Sequence, residues 1–421
     1  MSSPSKSGYR HERHKEHRNL RARGLMILCV LMLFFLAGCL PRAVRNWTFL
    51  VYMAADNNLD YFAGFDLQEM AAVGSNASLN IVVQHDPWDF GKPTQRLLVK
   101  YGSTATLASL GETNTGLKET LRDFLVWGVQ RFPARNYALV LWNHGSGVWD
   151  PDAARSSSLP PEPGIHTQMI GVDDSANKDA LTTIEYCQAI EEAEAMAGFH
   201  LNVLCFDACL MQMVEVAAEL HDESGQPLVD YMVGSAANVP GDGYNYTLIL
   251  DWLRDAGNAS PDAFAARIVQ AFGQTYPGEN VTQSAIRLTG TAFAGLKAAL
   301  AQLAAAINDA DSSQKATVRA HAIDAADYDY GENTELRDFV SKLAADYTIP
   351  AIASKAAAVK SFLDGNGLVT SSYSGGNYAG LQGLAILLPT DAKELSYYGH
   401  YGELRFADTG WDAVIAAMAG S

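Results

Sequence analysis

Apolar residues in this chain fall into short unbroken runs separated by stretches of helical periodicity. Trp47 to Met53 (WTFLVYM) reads as a first buried strand, followed by the loop and cap residues Asn57, Asn58 and Asp60 and a helix over about 61–73. Asn80 to Asp86 is a second strand run, and Arg96 to Tyr101 a short hairpin arm. A helix from about Gly116 to Arg131 precedes a strand over Tyr137 to Gly145. Leu201 to Phe206 is a further apolar run, with Leu210, Met213, Val214, Ala217 and Ala218 at helical spacing behind it. Runs of this kind suit strands buried on both faces. Their alternation with helices predicts an α/β fold, a mostly parallel sheet with helices on both faces.

Beyond Asn245 the pattern turns helical, over Asp262 to Tyr276, Gly295 to Ala310, Leu336 to Tyr347 and Ile349 to Gly365. One more buried strand is expected within Leu381 to Pro389, with Ser372 to Gly380 as a loop before it. Residues 47–258 thus read as the catalytic core, and 259–421 as a helix-rich C-terminal region completing it.

The N-terminus is an address. Residues 1–23 carry seven basic residues against Glu12 and Glu16, and an uncharged apolar run, Gly24 to Gly38, ends in Leu36-Ala37-Gly38-Cys39. A basic start, an apolar middle too short for a comfortable span and small residues before the cut make a secretory signal over residues 1–38. The LAGC sequence resembles the bacterial lipoprotein signal, which implies lipid attachment at Cys39 and a short tether, residues 39–46, to an exported body. With Leu40 after it, a Gram-negative host would sort the protein to the outer membrane. A plain signal peptide or signal anchor is the alternative.

The full chain has a formal net charge of −17, from 30 basic and 47 acidic residues. Without the signal 23 basic and 45 acidic residues remain, a net −22. That balance excludes nucleic acid and other polyanions as partners. Four cysteines remain after the cut, Cys39, Cys187, Cys205 and Cys209, too few for a disulfide framework. Cys187 shares a helix face with Ile184 and Ile190, and Cys205 lies inside an apolar strand, so both read as core.

Cys209 is the remaining candidate. At a strand-to-helix turn it would sit at the positive end of the helix dipole, which favours a thiolate. Of the seven histidines outside the signal, only His85 and His144 stand at the carboxyl end of an expected strand. Gly145-Ser146-Gly147 after His144 lets a substrate backbone approach. In open α/β sheets ligands bind beyond the carboxyl ends of the strands. An imidazole beside the thiol there would take its proton and later protonate a leaving amine. Packing and loop roles for both residues are the competing reading.

The segments WTFLVYMAADNNLD, LVLWNHGSGVW, GVDD, FDACLMQMVEVA and PGDGYNY, in that order, resemble the clostripain family of cysteine peptidases. The resemblance covers Trp47 to Tyr246 and extends more loosely through GLAILLP to the Trp411 region. It implies a caspase-like fold, shared with gingipains and legumain, and a catalytic dyad of His144 and Cys209. It further implies an oxyanion hole from the backbone amides of Gly145 and Cys209, and protein or peptide substrates bound through Asp207 and Ser235. Asp207 would face a basic P1 side chain, giving cleavage after Arg or Lys; a turn or capping role is the alternative. Ala236 and Ala237 stand where relatives carry acidic or polar residues, which removes a second pocket carboxylate.

The Pro-rich loop Asp150 to His166 follows the histidine where relatives are cut, and Arg155 is its only basic residue, so self-cleavage there is expected against an unprocessed surface loop. No zinc pattern or cofactor fingerprint is present, and no metal is assigned. The resemblance brings in calcium, which the namesake of that family requires; Asp173, Asp174 and Asp179 are the acidic loop residues for it, although they lack the spacing of a dedicated calcium loop, and a solvated or capping role is the alternative. The leading expectation is a lipid-anchored cysteine endopeptidase. A catalytically silent surface lipoprotein that binds peptides through the same fold is the alternative from another class.

Overall fold

A computed structural model describes residues 44–88, 91–148, 170–222, 224–365, 367–392, 395, 398 and 400–420. The signal segment, Cys39, and the loop holding Arg155 lie outside them. Residues Arg45–Ser421 form one compact unit. No helix among the described residues is long and apolar enough to cross a membrane.

The chain opens with β1 (Arg45–Ala55), α1 (Asp60–Val73), β2 (Leu79–Pro87), β3 (Gln95–Lys100), β4 (Ser103–Ser109), α2 (Lys118–Arg131) and β5 (Ala134–Trp142). A small hairpin, β6 (Ile170–Asp173) and β7 (Asp179–Leu181), leads into α3 (Thr183–Ala197), β8 (Leu201–Asp207), α4 (Val214–Glu219) and β9 (Val229–Gly234). There follow α5 (Tyr246–Ala256), α6 (Pro261–Thr275), β10 (Thr282–Arg287), α7 (Ala292–Asn308), α8 (Ser312–Asp324), β11 (Asp327–Tyr328) and β12 (Tyr330–Glu335). The chain closes with α9 (Leu336–Ala345), α10 (Pro350–Gly365), β13 (Val369–Ser374), β14 (Ala385–Leu387) and α11 (Trp411–Met418).

Nine strands form one sheet, in the order β13-β10-β9-β8-β5-β1-β2-β3-β4. The central five, from β9 to β2, run parallel. The pairs beyond them are antiparallel. The pleat of β1 sorts its side chains between two cores: Leu50, Tyr52 and Ala54 face one, and Phe49, Val51 and Met53 the other. Helices α2, α3 and α7 supply the first core; α1, α5 and α6 supply the second. Strands covered on both faces are largely apolar, which is why β1, β2, β5 and β8 are readable in the sequence.

Several elements differ from the reading of the sequence. β1 begins at Arg45, so Arg45 and Asn46 belong to the sheet rather than to a tether. β5 ends at Trp142, three residues short of the expected end, because Asn143 turns its amide back onto Ala54 and Val172 carbonyls. The helix after Cys209 starts only at Val214, five positions on. Leu210 adopts a left-handed φ of 63° and Met211 and Gln212 run through the interior, so the cysteine is not at a helix N-terminus. Ser372 to Ser374, expected in a loop, are part of edge strand β13, paired with β10.

Candidate active site

β5 and β8 are parallel neighbours in a register that sets Trp142 opposite Asp207. The Asn143 amide N–H still donates to the Asp207 carbonyl at 3.3 Å; beyond that the two chains leave the sheet at one rim. His144 and Cys209 are each two residues past the last paired position. The two departing loops pack closely: a Cβ on Gly145 would lie 2.3 Å from the Cys209 carbonyl oxygen. Only glycine permits that approach.

The His144 side chain is half-buried, and its Nε2 lies 2.7 Å from Asn58 Oδ1, on the turn after β1. A carbonyl oxygen accepts, so in this contact Nε2 carries the proton and Nδ1 is the basic nitrogen. Asn57 beside it is buried and donates to the carbonyls of Ala54 and Val172, which fixes the turn that carries Asn58.

Cys209 lies under a hood. Its Sγ accepts the Val239 N–H at 3.2 Å. The hood is held by Leu210 N–H to Ala237 carbonyl, 3.2 Å, and by Asn238 N–H to Asp329 Oδ2, 2.6 Å. Tyr378 donates to the other oxygen of Asp329 at 2.9 Å. Burial pushes the Cys209 thiol above its ordinary pKa; the Val239 N–H opposes that shift, and Asp329 and Asp207 add to it. The resting thiol is therefore protonated at neutral pH, the opposite of the dipole argument made from the sequence. The other two thiols, Cys187 and Cys205, are buried in the core as expected and are pushed up strongly by burial.

Asp207 is almost fully buried. Tyr246 donates its hydroxyl to Oδ2 at 2.8 Å, and the Tyr244 N–H bonds both oxygens at 3.2 Å. A Cβ on Gly243 would come within 2.6 Å of Oδ1, so the PGDGYNY loop wraps the carboxyl at van der Waals range. Helix α1 adds two carboxyls on one face, Asp66, which accepts from Trp142 Nε1 at 2.7 Å, and Glu69, which accepts from the Tyr246 N–H at 2.7 Å. Burial raises Asp207 to about 7, opposed by the two tyrosine bonds and assisted by Glu69. Burial, then the Asp207 charge, raises Asp66 to about 9. Asp242 adds to the negative potential at both Asp66 and Glu69. Asp66, Glu69 and Asp242 were missed in the sequence; the three-residue spacing within FDLQEM, just after a strand end, was the available signal.

Ser235 does not face outward. It is fully buried, donates to the Ala237 carbonyl at 2.9 Å and sits 3.0 Å from Thr282 Oγ1, so it shapes the hood rather than a pocket wall. Ala236 and Ala237 are likewise buried, their amides held by Thr282 Oγ1. Asp173 turns toward Asp56 and Glu112. Asp179 instead accepts from Asn114 at 2.6 Å.

The clostripain family profile matches residues 51–417. Clostripain of Hathewaya histolytica is 26% identical over 236 residues, which cover 51% of this chain and 43% of that protein. The match thus spans less than half the length of this relative. The X-ray structure of an inactive zymogen C11 protease from Parabacteroides distasonis covers 88% of this chain and 99% of its own, with a TM-score of 0.63 at 20% identity. A secreted C11 cysteine protease from Bacteroides thetaiotaomicron, solved with an irreversible peptide inhibitor, covers 87% of this chain and 100% of its own, with a TM-score of 0.62 at 19% identity. At these identities the two structures speak for the fold, which is the caspase-like one.

Proposed function

The chain belongs to the clostripain family, and on that premise we propose that it is a cysteine endopeptidase in which Cys209 is the nucleophile and His144 the general base and acid. The observation that carries this reading is the β5–β8 register, which sends both residues off one rim two positions beyond Trp142 and Asp207. In the first step the Cys209 sulfur attacks the peptide carbonyl carbon and its proton passes to His144. His144 then protonates the departing amine, and water hydrolyses the thioester to free the acid and restore the thiol. The backbone N–H groups of Gly145 and Cys209 stabilise the oxyanion between these steps.

Cleavage after Arg or Lys is the second part of the proposal. It is supported by Asp207, two residues before Cys209 in the chain, and by Asp66, Glu69 and Asp242, carboxyls whose charges act on one another around it. A cationic side chain entering there would draw the protons off Asp207 and Asp66 and pair with the resulting charge. The PGDGYNY loop must yield for direct contact with Asp207. Exposed Asp242 and half-buried Glu69 offer the first charges met on the way in.

Lipid attachment at Cys39 and self-cleavage after Arg155 complete the proposal, on the sequence alone. With β1 starting six residues after Cys39, an acylated protein would hold its body against the membrane. Fluorogenic peptides varied at P1, assayed on wild type and Cys209→Ala, test the enzymatic reading. Hydrolysis after Arg and Lys that vanishes in Cys209→Ala supports it. Faster cleavage after a neutral residue refutes the specificity, and activity surviving in Cys209→Ala refutes the nucleophile. Intact mass and N-terminal sequencing of membrane-extracted protein test the remainder: an acylated Cys39 terminus and a new terminus after Arg155 are expected.

A further inference from the structure

Charge is distributed unevenly along the strand axis. Acidic residues gather at the rim where the parallel strands end: Asp56 directly follows β1, Asp86 lies near the end of β2, and Asp207 closes β8. The opposite rim, where those strands begin, is cationic. Arg45 opens β1 in register with Ala134, and Arg135 follows in β5. Lys100 closes β3, whose antiparallel course returns it to the start of β2. Lys100 and Arg135 are exposed. The carboxylates of this rim pair with other cations: Glu194 and Asp230 with His200 at 3.3 and 3.1 Å, Asp255 with Arg254 at 2.7 Å, and Asp262 with Arg287 at 3.2 Å. Asp222 folds onto its own loop, accepting from Ser224 and the Gln226 N–H. Arg45 bonds the Leu79 carbonyl at 2.9 Å, and neither it nor Lys100 nor Arg135 pairs with a carboxylate among the described residues. Two exposed apolar side chains join them. Tyr101, 79% exposed, is the tip of the β3–β4 hairpin, and Met196, 60% exposed, lies in the last turn of α3 just before β8. The tip is fixed: the Gly102 N–H donates to the Ala71 carbonyl at 2.8 Å, and Gly74 packs on the Tyr101 backbone too closely for any side chain.

We propose that this amino-end rim is the face that rests on a bilayer carrying anionic phospholipid headgroups. The proposal builds on lipid attachment at Cys39, and the length of the tether gives it direction. Arg45 lies six positions after Cys39, a stretch that spans at most about 20 Å when fully extended. β1 runs 11 residues from one rim to the other, about 35 Å. A tether shorter than the strand lets the amino-end rim reach the lipid and keeps the carboxyl-end rim off it. Charge acts in the same sense. Anionic headgroups attract the basic rim, about fivefold in affinity for each Lys or Arg brought to the surface, and repel the acidic one. The Tyr101 ring beside Lys100 is amphipathic, the kind of side chain that settles at headgroup level. The orientation bears on the substrate. Held this way, His144 and Cys209 stand about 35 Å above the headgroups, so the bonds they reach belong to soluble or protruding polypeptides and not to segments lying at the lipid surface.

The test is lysine footprinting of the full, membrane-extracted chain reinserted into phosphatidylcholine vesicles with and without phosphatidylglycerol. A water-soluble amine-acylating reagent is applied, and mass spectrometry reads the labelling rate at Lys100 and at Lys178, which is exposed on the β6–β7 turn at the opposite rim. Lys100 should label about fivefold more slowly when phosphatidylglycerol is present, while Lys178 keeps its rate. Sodium chloride at about 0.5 M should restore the Lys100 rate by screening. Arg135→Glu, an exposed change at the rim away from the dyad, should restore it as well, with peptide hydrolysis unchanged. Intact mass of the same sample reads the acylation of Cys39 separately. Protection of Lys100 in a chain without acyl groups upholds the surface and discards the anchor. Equal Lys100 rates in the two vesicles overturn the surface, and in an acylated chain they leave the anchor standing. Protection of Lys178 in place of Lys100, or wild-type protection in Arg135→Glu, also overturns the proposal.

Discussion

The Cys209 sulfur accepts a hydrogen bond from the backbone N–H of Val239, 30 positions away, at 3.2 Å. That bond favours the thiolate, yet burial and the Asp329 charge outweigh it. The free thiol should therefore react slowly with iodoacetamide at pH 7, with a rate that climbs beyond pH 9 as the sulfur ionises. Asp329→Asn removes one of the opposing charges and should speed alkylation at pH 8 severalfold, shifting the midpoint of the pH–rate curve downward. An unchanged or slower rate would contradict this assignment.

Asn58 positions the imidazole without touching the reacting atoms. Asn58→Ala should lower kcat roughly tenfold, a part of the ~10²–10⁴ that proton transfer by a placed side chain contributes, with KM little changed. The pH–activity profile should shift as well, because the bond that holds the Nε2 proton is lost. A rise in KM alone would assign Asn58 to substrate contact instead.

The raised carboxyls make two pH dependences. Asp207 at about 7 and Asp66 at about 9 hold protons that a cationic P1 side chain must release, so KM for Arg and Lys substrates should fall as pH rises through 7. Glu69→Gln and Asp242→Asn should each raise that KM severalfold while sparing substrates with neutral P1. Stability moves the other way. Folded pKa values above the unfolded value of about 4 give a contribution that is complete at low pH and is lost as pH rises through 7 and 9. The unfolding midpoint should be lower at pH 9 than at pH 6, and Asp66→Asn should flatten the difference.

Much of this was legible in the sequence, and the reason is burial. Four of the five central strands, β1, β2, β5 and β8, are covered on both faces and read as apolar runs, whereas β9 was not read, and the two that matter end two residues before His144 and Cys209. β10 did not read as a strand because Thr282, Gln283 and Ser284 are polar yet fully buried, spent on Ser235, Tyr244 and the Gly383 carbonyl. The hood over the thiol was equally invisible, since Asp329 reaches Asn238 from 91 positions away. The pocket acids on α1 were hidden by a helix that looks ordinary in isolation. Local pattern found the strands; long-range hydrogen bonding decided the state of the thiol.

Gly145 should tolerate no side chain. A Cβ there meets the Cys209 carbonyl at 2.3 Å and the Ala208 methyl at 3.0 Å, so backbone must shift. Gly145→Ala should cost about 1–3 kcal/mol of stability, as overpacking usually does, and should reduce kcat more than Ser146→Ala does. Thermal unfolding and steady-state kinetics on the pair check both statements.

The central claim is that His144 and Cys209 work as one unit across a single sheet rim. The most direct measurement is the inactivation rate by a peptidyl acyloxymethyl ketone with lysine at P1, with the adduct located by mass spectrometry. One adduct at Cys209 is predicted, formed about 100-fold more slowly in His144→Ala at an unchanged unfolding midpoint. Equal rates in the two proteins, or an adduct on Cys187 or Cys205, would contradict it.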